Sequence, residues 1–233
     1  MCVKHSYNKL LENNIKPWAC VLLDPRPITG ISTHGIMRKD LFKKVDPSTK
    51  FFVASMTDPS VTEHLIKKKA DIYGWHAFTE SLREEDERGI QIINNQVHLI
   101  DELGIPQGST LITGGTCAAM RAIGIMNTMG FREMHLFGFD CSMEEPTEKQ
   151  MEETTGAEDE EPKSKYMKVT VNDKDFWTTG ELLAMAQDCE RTFRDDNSAI
   201  NFTYHGEETM VAELWEIIES ERPLPNFKEV FDD

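Results

Sequence analysis

Two aspartates, two histidines and one glycine-rich turn carry the chemistry that this sequence offers. Asp24 and Asp140 each close an apolar run that reads as a strand, Trp18–Leu23 and Met134–Phe137. Carboxylates at strand ends can hold Mg²⁺, which in turn binds phosphate oxygens. The same two residues also suit a plainer role, Asp24 opening an Asp-Pro turn and Asp140 capping a loop. Gly114-Gly115-Thr116 lies between a short apolar strand and a run of helix formers, Ala118 to Met129. Free backbone N–H groups at such a helix start favour an anion, with Thr116 as the cap. The Lys of a Walker A loop is missing, and glycines there also serve tight turns and close packing. His34 and His205 are the candidate general bases, since imidazole titrates near neutrality and accepts a hydroxyl proton. His135 alternates along a strand expected to be buried and reads as structural. Cys117 follows at the helix start, where a thiol pKa can fall, although small packing is the commoner role. Trp75, with Tyr73 and Phe78, reads as core or rim, with stacking on a base or pterin ring as the sharper alternative.

These residues need a scaffold of parallel strands and helices. Helix His5–Asn14, strand Trp18–Leu23, strand Phe51–Ser55, a Pro59-initiated helix and strand Ile72–Phe78 follow in order. Glu87–Leu103 reads as a helix. The strand, helix and strand of residues 111–137 predict a right-handed parallel crossover, with ligands beyond the carboxyl ends of the strands. Beyond it, Tyr166–Val171 reads as a strand and Phe176–Arg194 as a helix. Ile200–Tyr204 reads as the last strand, ending in His205-Gly206, and Glu207–Ile218 as an amphipathic helix. The expectation is an α/β, Rossmann-like three-layer fold with a mostly parallel sheet. It forms a single domain over 1–233 with an acidic tail at 221–233. Residues 144–161 hold nine acidic side chains and one Lys. This acidic insertion, at 144–163, is expected to be solvated and mobile.

Three stretches resemble one family. Gly114-Gly-Thr-Cys-Ala118, a helix, then Met129-Gly-Phe-Arg-Glu-Met-His-Leu-Phe-Gly-Phe-Asp-Cys-Ser142 is similar to the signature of archaeal-type 6-hydroxymethylpterin diphosphokinase-like domains. Bacterial motility accessory factor proteins, implicated in flagellin glycosylation, share it. Asn13 to Pro25, ending in Leu-Leu-Asp-Pro, and Phe52-Val-Ala-Ser-Met-Thr57 are similar to the family's second and third strands. The resemblance covers roughly residues 1–142. It implies a nucleotide site at Gly114, Gly115, Thr116, Cys117, Asp24 and Ser55, with Mg²⁺ on Asp24 and Asp140. The family's first strand and Gly-Pro-Ser loop have no counterpart before the helix that begins at His5, which is its main departure.

Composition narrows the partners. The 233 residues carry a formal net charge of −16, which argues against a nucleic-acid backbone or an anionic membrane surface. A small nucleotide stays allowed, because a pocket needs only a few donors. Hydrophobic content of 39% with 12 Phe allows a sizeable core. No apolar run reaches membrane-spanning length and no signal peptide is evident. Five Cys in no metal or disulfide pattern point to a reducing cytoplasm. Oligomerisation is left open.

Three functions follow from this reading. The first is a diphosphokinase-like group transferase, passing a diphosphoryl group from Mg²⁺–ATP to a pterin-like hydroxyl. The second is a glycosyltransferase using a nucleotide-activated sugar and an unknown hydroxyl acceptor. The third is a non-catalytic binding module.

Overall fold

The computed structural model describes residues 1–28, 41–78, 83–85, 91–93, 111–115, 117–151, 154–155, 163–195 and 199–221. His34, Thr116 and the acidic tail beyond Glu221 lie outside them. The chain divides into two compact units, Met1–Gly130 and Phe131–Asp233, where the sequence suggests one continuous domain.

Unit 1 contains β1 (Cys2–Val3), α1 (Ser6–Glu12), β2 (Ala19–Leu22), β3 (Lys50–Ala54), α2 (Pro59–Lys67) and β4 (Asp71–Ala77). There follow β5 (Arg83–Glu85), β6 (Gln91–Ile93), β7 (Leu111–Ile112) and α3 (Ala118–Thr128). Five strands form one parallel sheet in the order β1-β2-β3-β4-β7. All four residues of β2 are buried, as a central parallel strand covered on both faces requires.

Alternation along the strands feeds two cores. Cys20, Leu22, Phe51 and Val53 pack against Tyr7 of α1 and Val61 and Leu65 of α2. Val21, Ala54, Trp75 and Ile112 pack against Ile125 of α3. Unit 1 is therefore a three-layer, Rossmann-like α/β arrangement. α3 packs against β1, β2 and β7, strands from both edges of the sheet, so the sheet curls around it. α2 starts as its sequence predicts, with Pro59 at its first turn and the Asp58 carboxylate accepting from Ser60 N at 2.9 Å.

Unit 2 contains β8 (Glu133–Phe137), α4 (Glu148–Met151), β9 (Thr154–Thr155), β10 (Lys163–Ser164), β11 (Tyr166–Val171), β12 (Lys174–Thr179), α5 (Gly180–Phe193), β13 (Asn201–His205) and α6 (Met210–Glu221). β8 and β13 are parallel partners. Their inner residues, Met134, Leu136, Phe202 and Tyr204, are buried, whereas Glu133, His135, Phe137, Asn201, Thr203 and His205 are exposed. Phe193 of α5 packs on Phe202 and, edge-on, on Trp215 of α6. Buried Glu213 of α6 accepts from Asn172 at 2.9 Å and from Lys174, fixing the helix to the β11–β12 turn.

Several expectations are corrected. Phe176–Thr179 belongs to β12, not to the helix. Asn172 and Asp173, both at positive φ, form a two-residue hairpin turn that pairs this segment with β11. The helix starts only at Gly180, capped by Thr179 accepting from Leu182 N. Gln91–Ile93 is a strand paired with Arg83–Glu85 rather than part of a helix. Within the acidic run, Glu148–Met151 is a helical turn and Thr154–Thr155 pairs with Lys163–Ser164. The crossover expected after α3 does not close. Among the described residues β8 pairs with β13 and not with β7.

Candidate functional site

Asp24 ends β2 with only 3% of its surface exposed. One carboxylate oxygen accepts from Arg26 N at 3.0 Å and Arg26 Nε at 2.9 Å. The other accepts from Arg26 Nη2 at 2.8 Å and from the Lys4 ammonium. Lys4 follows β1, so parallel pairing brings it beside Asp24 at the carboxyl edge of the sheet. Burial by itself would raise the Asp24 pKa, but the hydrogen bonds from Arg26 and Lys4 outweigh it and hold the carboxyl well below the usual range.

The loops after β2 and β3 are tied together. Asp58 N donates to Asp24 O at 3.1 Å, and the Thr57 hydroxyl donates to Leu22 O at 3.4 Å. Ser55 follows β3 at this edge and is exposed, with its N–H donating to Trp75 O. Trp75 itself is buried in the core, which excludes the stacking role considered for it.

Gly114 and Gly115 follow β7 at the same edge. Gly114 has φ +131°, and a Cβ there would lie 3.0 Å from Met120 O. Its glycine is thus required by backbone geometry and by the close approach of α3. The N-cap residue of α3 is Cys117, where the sequence reading places Thr116. α1 and α2 lie on one face and α3 on the other, so the connections leave the carboxyl edge in opposite directions. The strand order is sequential, so the glycine turn and Asp24 share the carboxyl edge without a reversal of strand order between them.

Asp140 and His205 belong to unit 2. They mark the carboxyl ends of β8 and β13, which parallel pairing brings side by side. Asp140 is exposed, and its carbonyl accepts from Ser142 Oγ at 3.2 Å. The sequence reading joins Asp140 to the glycine turn through one crossover. The structure instead assigns them to separate units.

His135 is the residue that sequence reasoning missed. It is exposed, not buried, and its Nδ1 lies 2.8 Å from Nε2 of His205. The ring centroids are 5.1 Å apart with planes 21° from parallel. That separation is roughly the N···N distance plus both ring radii, so the imidazoles meet end to end. A hydrogen bond of this kind requires one ring to donate and the other to accept, which fixes the tautomer relation between them. Phe137 stacks face to face on His205, with centroids 4.3 Å apart and planes 5° apart. The available signal was the i, i+2 alternation of His135 and Phe137, which only the strand's exposed face gives meaning.

Magnesium does not fit Asp24 as the structure holds it. Both oxygens already accept from cations, and a third positive charge would have to displace Lys4 or Arg26. Among the described residues no group of three His, Cys, Asp or Glu side chains is placed to hold a metal ion. No helix among them is long and apolar enough to cross a membrane.

No protein-family model, no curated protein and no solved structure matches the chain.

Proposed function

We propose that the chain is a group transferase acting on a nucleotide-activated donor. The donor phosphates would sit at the carboxyl edge of the five-stranded sheet, against Lys4, Arg26 and the backbone of Gly114-Gly115. The observation that carries this reading is the convergence of two cations on one buried aspartate at that edge. Asp24 neutralises one of the two charges and holds both side chains in place. Arg26 keeps 38% of its side chain exposed, and cationic side chains held in place are strong hydrogen-bond donors to phosphate.

Between the two donor chemistries, the engaged Asp24 favours the nucleotide sugar. Diphosphoryl transfer from ATP depends on carboxylate-bound Mg²⁺, whereas a leaving nucleoside diphosphate can be stabilised by Lys and Arg alone.

Thermal-shift measurements with ATP–Mg²⁺, UDP-sugars and CMP-sugars test the reading. A ligand at 100 times its dissociation constant adds about 2.7 kcal/mol of stability. A nucleotide sugar should stabilise the chain without Mg²⁺, and Arg26→Gln and Gly115→Val should remove the effect. Stabilisation by ATP only with Mg²⁺ would return the diphosphokinase reading. No shift with any nucleotide would leave the non-catalytic binding module.

A further inference from the structure

The amino-terminal edge of the unit 1 sheet carries a second feature. The segments leading into β2, β3 and β4 enclose a groove of about 610 Å³, lined by Lys16, Lys43, Lys44 and Lys68 with Asp46 as the sole acid. Leu11, Val45 and Pro47 give it apolar surface. Lys16 pairs with Asp46 at 3.3 Å. Lys43, Lys44 and Lys68 make no ion pair among the described residues.

Four lysines against one aspartate is a local excess of positive charge in a chain whose net charge is −16. Helix electrostatics accounts for Lys68, which caps the carboxyl end of α2. It does not account for Lys43 and Lys44, which lie outside any helix. Like charges gathered on one concavity repel one another, and a bound anion relieves that repulsion. Lysine ammonium groups bind phosphate as compact point charges. The volume suits a small molecule.

We infer that this groove binds a small polyanion, with adjacent phosphate groups on the lysines and an apolar part against Leu11, Val45 and Pro47. It is distinct from the site at Asp24, because Lys16 precedes β2 and Asp24 follows it.

Calorimetry of the full chain with inorganic tripolyphosphate and with ATP, both without magnesium, tests the inference. Both should bind, ATP more tightly because of the apolar surface. Lys43→Glu with Lys44→Glu, at two exposed positions, should weaken each by about tenfold or more while circular dichroism stays unchanged. Lys43→Arg with Lys44→Arg should retain binding, and so should Arg26→Gln at the other edge. Raising salt from about 50 to about 300 mM should weaken binding in the wild type. An unchanged titration for the double glutamate variant would overturn the inference, as would loss of tripolyphosphate binding in Arg26→Gln. It would also fall if neither anion bound and sedimentation showed two copies joined through these lysines.

Discussion

One terminal nitrogen of Arg121 donates to the carbonyl oxygens of both Phe78, at 2.6 Å, and Ile112, at 2.7 Å. Arg121 lies on α3 and is only 6% exposed, so a buried guanidinium fastens this helix to the carboxyl ends of β4 and β7. Arg121→Met keeps most of the apolar stem but removes the donor from two carbonyls. The expected cost is about 2–4 kcal/mol, since hydrogen bonds from charged groups are strong and stranded acceptors are penalised. Urea unfolding measures it, and a loss below about 0.5 kcal/mol would show that the helix is held by packing alone.

Gly124 decides a contest between propensity and packing. Alanine gains about 1 kcal/mol over glycine inside a helix. Here an added Cβ would lie 2.4 Å from Thr113 O and 3.1 Å from Ile112 Cγ2. The first contact is with backbone, which cannot rotate away. Overpacking costs about 1–3 kcal/mol, so Gly124→Ala should destabilise on balance. A higher melting temperature for the variant would mean that α3 can shift outward freely.

Asp24→Asn should destabilise by about 2–4 kcal/mol at neutral pH, because it leaves Lys4 and Arg26 beside a neutral, mostly buried group. The pH dependence has a definite sign. The folded-state pKa of Asp24 is depressed, so its contribution is fully present above the unfolded value, near pH 4, and is lost as pH falls toward the folded value. The difference between wild type and Asp24→Asn should therefore be constant from about pH 5 to pH 7 and shrink below about pH 4. A difference that grew on acidification would contradict the ion-paired assignment.

The imidazole pair is open to direct observation. Long-range ¹H–¹⁵N spectra should show His135 Nδ1 and His205 Nε2 as one donor and one acceptor, with a shared proton shifted downfield. His135→Ala should abolish that signal and change stability by no more than about 1 kcal/mol, since both rings lie on an exposed strand face. Wild-type spectra with no proton shared between the two nitrogens would show that the rings do not form a hydrogen-bonded pair.

Much of unit 1 is legible in the sequence. The apolar run Ala19–Leu22 and the Asp58-Pro59 start of α2 are local signals, decided by neighbours within a few residues. The same holds for the glycine turn before α3, where Gly114 sits at φ +131°. The helix misplaced at Phe176 shows the limit of such signals. Its residues suit either state, and the Asn172-Asp173 turn pairs them with β11 instead.

The sequence by itself determined an α/β chain with carboxylates at strand ends, because strand periodicity and helix starts are written in short windows. Tertiary structure alone decided what those carboxylates meet. Lys4 reaches Asp24 across twenty residues, and His135 reaches His205 across seventy. Each contact depends on which strands become parallel neighbours and in which register. Cys2 comes beside Cys20 in the same way, although the spacing of the five cysteines shows no pattern. Parallel neighbours are chosen by burial of whole faces, a property of the folded sheet that no short stretch of sequence contains.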